Sequence, residues 1–165
     1  MSQHARLSYL VRQAQLATYQ GLDRTLRGFG LTPAQYTVLA ILSRRGESSA
    51  ALSRRLGVSP QSANEVVATL GAMGLLRRMA ATGHRRMRRL ELTLRGRNLL
   101  VQCDAEVDRF EDALFGVLAS AERERLRGLL IRVTAAGRSA QATESLRLPA
   151  APAKRSGTRV ARRAD

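Results

Sequence analysis

The sequence is poor in the residue types that bind metals or form disulfides. It contains one cysteine, Cys103, and two histidines, His4 and His84. A single cysteine excludes an intrachain disulfide, and so few nitrogen and sulfur ligands give no spacing typical of a metal site. We therefore expect no structural metal, and nothing in the sequence indicates a cofactor.

Long apolar runs and enzyme motifs are also missing. The longest apolar run, Val38–Leu42, is far shorter than the roughly 20 residues that a membrane-spanning helix needs. Residues Met1–Gln20 contain no continuous apolar segment typical of an export signal. There is no nucleophile elbow, phosphate-binding glycine loop or spaced set of carboxylates or histidines. We expect a cytoplasmic protein that is not an enzyme and has no membrane partner.

Positive charge, by contrast, is abundant and unevenly placed. The 165 residues carry a formal net charge of +15. Between Arg44 and Arg97 there are twelve arginines and three glutamates, a net charge of +9, whereas most of the acidic residues follow from Asp104. A cationic middle segment favours binding to a polyanion through counterion release. The alternative is that an arginine-rich coding bias, with Lys154 as the one lysine, raises the charge everywhere.

The same middle segment has a helix-turn-helix pattern. We predict a short helix over Ser49–Leu56 and a second over Pro60–Met73, with Ser59 as its N-cap and Gly74 as its stop. The alternation in Leu90–Thr93 indicates a strand after a run of arginines. The order predicts a winged helix-turn-helix, whose second helix can enter a major groove while the wing contacts the backbone or minor groove.

Further helices are predicted on both sides of this segment. Ala5–Leu26 consists mostly of helix formers, and Thr32, Pro33 and Gln35 form a capping-box sequence for the next helix. After the wing, apolar residues recur at steps of three and four, and a second such series follows Ser120, a predicted cap. The two series are Leu99, Cys103, Val107, Phe110, Leu114 and Leu118, then Leu126, Leu129, Leu130 and Val133.

The predicted fold class is therefore mainly α with a small β-wing. We divide the chain into an N-terminal dimerisation helix (1–30), a winged helix-turn-helix domain (31–97), C-terminal dimerisation helices (98–145) and a disordered basic tail (146–165). The terminal helices carry more apolar surface than one small winged domain can cover, which favours a homodimer. The alternative is that they pack on the winged domain of their own chain.

Candidate DNA contacts follow from this arrangement. Polar side chains near the start of the second helix would face the bases, and arginines of the wing would reach the backbone or minor groove. Alternatively, these polar residues are simply solvated. The candidates are Ser59, Gln61, Ser62, Asn64 and Glu65 on the helix, and Arg85, Arg86 and Arg88 on the wing.

Four segments together resemble the MarR-type transcriptional regulators. These are Leu31–Tyr36, Leu52–Ser59, Gly74–Arg78 and Leu92–Gly96, within a resemblance that covers Leu7–Arg138. It implies a dimeric winged helix-turn-helix repressor or activator that binds a pseudo-palindromic operator. Many members release DNA when a small, often phenolic, anion binds between the dimerisation helices and the winged domain. By analogy, Tyr9, Arg12, Tyr19 and Tyr36 are candidates for such an effector pocket.

The sequence departs from the family pattern at two places. The wing of this family usually carries Asp-x-Arg, where this chain has His84-Arg85-Arg86, so the minor-groove arginine falls on Arg86 without its aspartate. In the second helix, Glu65 matches a position where the family often has arginine. Glutamate cannot bind a phosphate, but it can accept a hydrogen bond from the amino group of cytosine.

Cys103 is not placed like the redox-sensing cysteines of some family members. Those sensors carry the reactive cysteine in the N-terminal helix, whereas Cys103 lies on the apolar series between Leu99 and Val107. A buried, small apolar side chain is the expected role there. The leading hypothesis is thus a sequence-specific repressor controlled by a small molecule; the alternative is a nonspecific nucleoid-associated or RNA-binding protein.

Overall fold

The computed structural model describes residues 6–80 and 88–147. The chain divides into two compact units, the first ending at Val117 and the second beginning at Leu118. These described residues form helices and one small antiparallel sheet, which confirms the predicted fold class. In chain order the elements are α1 (Leu7–Arg27), α2 (Pro33–Arg44), α3 (Ser49–Leu56), α4 (Pro60–Ala72), β1 (Leu76–Ala80), β2 (Arg88–Leu92), α5 (Leu94–Phe115) and α6 (Ser120–Arg147).

Side-chain caps fix where most of these helices begin. At α2, the Thr32 hydroxyl accepts a hydrogen bond from the Gln35 amide at 3.3 Å, and the Gln35 side chain accepts one from the Thr32 amide at 2.9 Å. This reciprocal pair is the predicted capping box. Ser48, Ser59 and Thr93 cap α3, α4 and α5 in the same manner, each accepting from a backbone amide three residues ahead.

A left-handed glycine and two hydrogen bonds fix the turn between α3 and α4. Gly57 has φ +67°, a left-handed conformation that favours glycine, and ends α3. The buried Ser53 hydroxyl donates to the Val58 carbonyl at 2.8 Å, while the Val58 amide donates to the Ser53 carbonyl. These bonds fix the angle at which α4 leaves α3.

The wing is a two-stranded hairpin with a third segment beside it. β1 and β2 pair antiparallel, with Leu76 opposite Leu92 and Arg77 opposite Glu91. Leu76, Leu90 and Leu92 are buried, so one face of the hairpin belongs to the core. Glu47, between α2 and α3, makes an isolated bridge to Leu90.

One core holds α1 through α5 together. Each of these five helices and both strands contribute leucines to it, and Leu26, Leu39, Leu52 and Leu70 are wholly covered. The α1 and α5 helices approach closely at Gly21, where an added Cβ atom would lie 2.0 Å from the Phe110 ring. A side chain at this position would separate the two helices.

Several boundaries differ from the sequence prediction. The α4 helix ends at Ala72, one residue before the predicted end, and α5 begins at Leu94, inside the predicted winged domain. Ser120 is the first residue of α6 and not its cap; the cap position falls to Ala119, whose amide donates to the Glu122 carboxylate at 2.8 Å. The α5 helix ends at Phe115, so Leu118 lies beyond it. The α6 helix continues to Arg147, past the predicted start of the tail at 146, and residues 148–165 lie outside the described part.

Candidate nucleic-acid interface

Helix α4 has a buried apolar face and an exposed polar one. Ala63, Val67 and Leu70 recur at steps of four and three and are buried in the core. Gln61 and Ser62, which precede Ala63, and Asn64 and Glu65, which follow it, are exposed. The helical period therefore presents the predicted base-contacting residues together on the outer surface.

The two serines at the start of α4 are engaged with each other. The Ser59 hydroxyl accepts from the Ser62 amide at 3.1 Å, and the two hydroxyl oxygens lie 2.9 Å apart. Ser59 therefore serves as the helix cap. Because a hydroxyl both donates and accepts, and the first amides of a helix attract anions, this end of α4 can still bind a phosphate.

Glu65, the unusual residue of this helix, has a partner one turn back. Gln61 Nε2 donates to Glu65 Oε1 at 3.1 Å. Gln61 and Glu65 thus form one hydrogen-bonded unit, which reduces the rotamers open to both side chains. An ionised carboxylate accepts several hydrogen bonds, so Glu65 can also accept from a base.

The described arginines of the wing project from both strands. Arg77, Arg78 and Arg89 are exposed, and Arg77 forms an ion pair with Glu91 at 3.4 Å. Of the predicted wing contacts, Arg85 and Arg86 lie outside the described residues, as does His84. Arg88 belongs to β2, but only its backbone position is described.

An arginine cluster at the root of the wing was not singled out from the sequence. The carboxylate of Glu47 lies 3.0 Å from Arg55 and 3.5 Å from Arg45. Arg89 Nε donates to the neighbouring Gly46 carbonyl at 2.8 Å. Three arginines from separate segments therefore meet beside Glu47, and no local sequence signal links them.

The four candidate effector residues occupy two places. Tyr9, Arg12 and Tyr19 are exposed on α1, with a spacing of three and seven that puts them on one side of the helix. Tyr36 lies half-buried on α2, and its hydroxyl donates to Asp104 of α5 at 2.8 Å. Burial and the hydrogen bond to Asp104 raise the pKa of Tyr36 well above its ordinary value, and the carboxylates of Glu111 and Asp108 add to this.

Two open cavities flank Phe29, at the junction of α1 and α2. One, of about 480 Å³, is lined by Phe29, Met73, Leu75, Leu94, Arg95, Asn98, Leu99 and Gln102. Its lining combines apolar side chains with the amides of Asn98 and Gln102 and the guanidinium of Arg95, near the C-terminal end of α4. The other, of about 570 Å³, lies between α1 and α5 and is lined by Thr25, Gly28, Phe29, Glu106, Arg109 and Phe110.

Cys103 has the structural role that its position predicted. Its side chain is wholly buried in the core. Burial, with a smaller contribution from the Asp104 carboxylate, raises the pKa of the Cys103 thiol to about 11. A protonated, inaccessible thiol is a poor nucleophile, which weighs against redox sensing at this position.

Two other kinds of feature are not found in the part of the chain that the structure describes. Within residues 6–80 and 88–147, no three His, Cys, Asp or Glu side chains come together as a metal site would require. None of the helices in these ranges is both long and apolar enough to cross a bilayer.

A capped helix-turn-helix with an exposed polar second helix and an arginine-bearing wing defines a winged-helix DNA-binding protein. Comparison with known proteins agrees. The family model described as MarR family matches residues 29–87. A Thauera aromatica protein named for transcriptional regulation of the hcr operon is 31% identical over 134 residues, which cover 80% of this chain and 81% of that protein.

Solved structures of other proteins are also similar to the chain, and two of them bear on its function. The transcriptional repressor CouR bound to a 23-mer DNA duplex has a TM-score of 0.73 at 28% identity, over 78% of this chain and 92% of that one. The MarR family protein Rv2887 of Mycobacterium tuberculosis, in complex with salicylic acid, has a TM-score of 0.66 at 27% identity, over 81% and 99%. The chain belongs to the MarR family and is a DNA-binding transcriptional regulator.

Proposed function

We propose that this protein is a homodimeric, sequence-specific repressor whose release from a pseudo-palindromic operator is controlled by a small molecule. One observation carries the proposal: the exposed face of α4 groups Gln61, Asn64 and Glu65 over a buried apolar face. Amide and carboxylate side chains at such positions distinguish base edges in the major groove. Two similar proteins, Rv2887 and CouR, are named transcriptional repressors, and repression is proposed here on that basis.

Homodimerisation is proposed from the exposed apolar side chains of the terminal helices. On α1, Leu7, Leu10 and Val11 are 80%, 48% and 50% exposed. On α6, Leu130 and Val133 are exposed at 44% and 62%. Such stretches are expected to be covered by a partner. A second copy of the chain suits them, because a two-fold axis would also place two α4 helices on consecutive major grooves.

For DNA contact by the wing, we keep Arg85, Arg86 and Arg88 as candidates. Arg86 would read the minor groove and Arg88 the backbone. Arg86→Ala should then weaken binding more on A·T-rich flanks than on G·C-rich ones, because narrow A·T minor grooves attract arginine. Arg88→Ala should weaken all duplexes alike. Equal losses on both kinds of flank would refute the role of Arg86.

We propose that the effector is a small amphipathic acid that binds in the cavity beside Arg95. Tyr36 alone is a poor anion ligand, since its hydroxyl is engaged by Asp104 and other carboxylates lie near. The cavity beside Arg95 combines a cation with apolar walls and touches Met73, at the end of α4. Rv2887 was crystallised with salicylic acid. Tyr9, Arg12 and Tyr19 remain candidates for a second pocket that a partner copy would complete.

The effector proposal is tested by titrating salicylate against the protein with and without DNA. Arg95→Gln should weaken salicylate binding, because the glutamine amide keeps the polarity of the side chain but removes its charge. Its affinity for DNA should fall only by the effect of one lost positive charge, since Arg95 lies beside Met73, at the other end of α4 from Gln61. Arg12→Gln on α1 serves as the matched variant for the alternative pocket. If only Arg12→Gln weakens salicylate binding, the pocket on α1 is the effector site.

Sequence specificity is tested by selecting genomic fragments with purified protein. Fragments bound by a repressor should share one inverted repeat, with half-sites about one helical turn apart. The alternative, a nonspecific nucleoid-associated or RNA-binding protein, predicts no shared motif, or tighter binding to RNA than to duplex DNA.

A further inference from the structure

Glu47 is a carboxylate held at the root of the wing with almost no contact with solvent. Only 8% of its side chain is exposed, whereas its partners Arg45 and Arg55 keep 73% and 43% of theirs. Glu47 Oε1 lies 3.0 Å from Arg55 Nη1 and 3.5 Å from Arg45 Nε. The negative charge is therefore covered, and the two positive charges that it holds remain accessible.

The main chain beside Glu47 fixes the cluster to the wing. The Glu47 carbonyl accepts from the Leu90 amide at 2.8 Å, and the Gly46 carbonyl accepts from Arg89 Nε at 2.8 Å. A Cβ atom at Gly46 would lie 2.7 Å from both Arg89 Nε and the Leu90 carbonyl oxygen, so this close approach requires glycine. Arginines from α3, from β2 and from the α2 end are thus gathered at one place.

We propose that Glu47 is a positioning residue for DNA binding, which holds the guanidinium groups of Arg45 and Arg55 for contact with DNA phosphates. The inference rests on the proposed function only in taking duplex DNA as the ligand. A guanidinium has five N–H donors, so each arginine can bind Glu47 and a phosphate together. Side chains already ordered by Glu47 lose less entropy when DNA binds.

Net charge and positioning predict opposite results when Glu47 is neutralised. Removing a negative charge from a protein that binds a polyanion should by itself tighten binding. If Glu47 orders the two arginines, its loss should instead weaken binding, because the guanidiniums repel each other and no longer share a counter-charge. The sign of the change therefore separates the two effects.

The experiment compares full-length wild-type protein with Glu47→Gln on a random-sequence duplex over a range of salt concentrations. We expect binding about tenfold weaker near 0.1 M salt and a salt slope shallower by about 0.9 for each arginine that loses its phosphate. The matched control is Glu91→Gln on β2, which removes the same charge beside Arg77 of β1. That variant should bind as tightly as wild type, or more tightly.

A second set of variants separates positioning from a general effect on folding. Arg45→Ala/Arg55→Ala should flatten the salt slope more than Arg24→Ala/Arg27→Ala on α1. Adding Glu47→Gln to the first pair should weaken binding no further, because the arginines that Glu47 positions are already absent. If Glu47→Gln does not fold, the two arginine pairs still decide: equal slopes for both pairs overturn the proposal.

Binding of folded Glu47→Gln as tight as wild type, with an unchanged slope, also overturns the proposal. The random duplex keeps this result separate from the proposed sequence-specific function. Failure to select a shared operator would refute sequence specificity. It would not affect the ratio of the affinities of Glu47→Gln and wild type for random DNA.

Discussion

The winged domain and the terminal helices cover their apolar side chains to very different extents. Leu39, Leu52 and Leu70 of the winged domain are wholly buried within one chain, whereas Leu10 of α1 and Leu130 of α6 are 48% and 44% exposed. The winged domain thus completes its core without a partner. The terminal helices leave apolar side chains uncovered. This difference separates the part of the chain that binds DNA from the part that we propose to form the dimer and so to set the spacing of the two α4 helices.

The largest expected effect is on the core of the winged domain. Leu52→Ala should lower the free energy of unfolding by about 2–5 kcal/mol, because it opens a cavity in a packed interior. Leu94→Ala is the control, since Leu94 is 69% exposed, and it should cost less than about 0.5 kcal/mol. Urea denaturation measures both. Similar losses for the two variants would show that the core is not where the structure has it.

Substitutions on the exposed apolar side of the terminal helices should weaken dimerisation without unfolding the winged domain. The double variant Leu130→Asp/Val133→Asp places charge on the exposed apolar side of α6 and should give a monomer in light scattering at micromolar concentration. Its affinity for a selected operator should fall by about a hundredfold, because simultaneous binding of two half-sites is lost. Leu94→Asp, on an exposed position of α5, should remain dimeric.

A variant that stays dimeric despite both aspartates would place the interface elsewhere. A monomer that still binds the operator with undiminished affinity would contradict the proposal that the terminal helices set the spacing of two α4 helices.

Glu65 should affect sequence preference more than affinity. Glu65→Ala should relax the preference for cytosine at one position of each half-site, by about 1–3 kcal/mol, and should tighten binding to random DNA by removing a repulsive charge. Gln61→Ala should relax the same cytosine preference to a smaller extent, because Gln61 orders the Glu65 carboxylate; it removes no charge and should not tighten binding to random DNA. Selection with each variant measures this.

The control for Glu65 is Glu124→Ala on α6, which removes one negative charge far along the chain from α4. Its selected consensus should equal that of wild type. An unchanged consensus for Glu65→Ala would mean that the carboxylate is satisfied by Gln61 and does not read a base.

The smallest expected effect concerns Cys103. Because its pKa is raised to about 11, the thiol stays protonated through the neutral range and ionises only in strong alkali. Iodoacetamide at pH 8 should therefore label the unfolded protein quickly and the native protein very slowly, and hydrogen peroxide should leave operator binding unchanged. Rapid labelling of native protein, with loss of DNA binding, would revive a sensing role.

Local signals in the sequence predicted most of the fold. The capping box of Thr32 and Gln35, the Ser59 cap and Gly74 each depend on residues a few positions apart, and all lie where they were expected. Ser120 misled because serine is a common cap, whereas here the backbone amide of Ala119 is satisfied by Glu122. The exact start of a helix depends on which nearby side chain accepts a hydrogen bond from its first backbone amides.

The contacts that the sequence did not predict join distant segments. Tyr36 and Asp104 are 68 positions apart, and Arg89 reaches Gly46 across 43 positions. In the sequence Glu47 was only one of three acidic residues among many arginines. The positioning role that we propose for Glu47 depends on contacts with β2 and with the end of α3. No periodicity or motif in the sequence indicates these contacts.

The central claim is that α4 reads a specific DNA sequence, and competition binding tests it most directly. A labelled duplex selected by the wild-type protein is titrated with unlabelled copies of itself and with unrelated duplex at physiological salt. We predict that at least about a thousandfold more of the unrelated duplex is needed to displace the label, as for other specific DNA-binding proteins. Equal competition by both duplexes would contradict the claim and would favour a nonspecific DNA-binding protein.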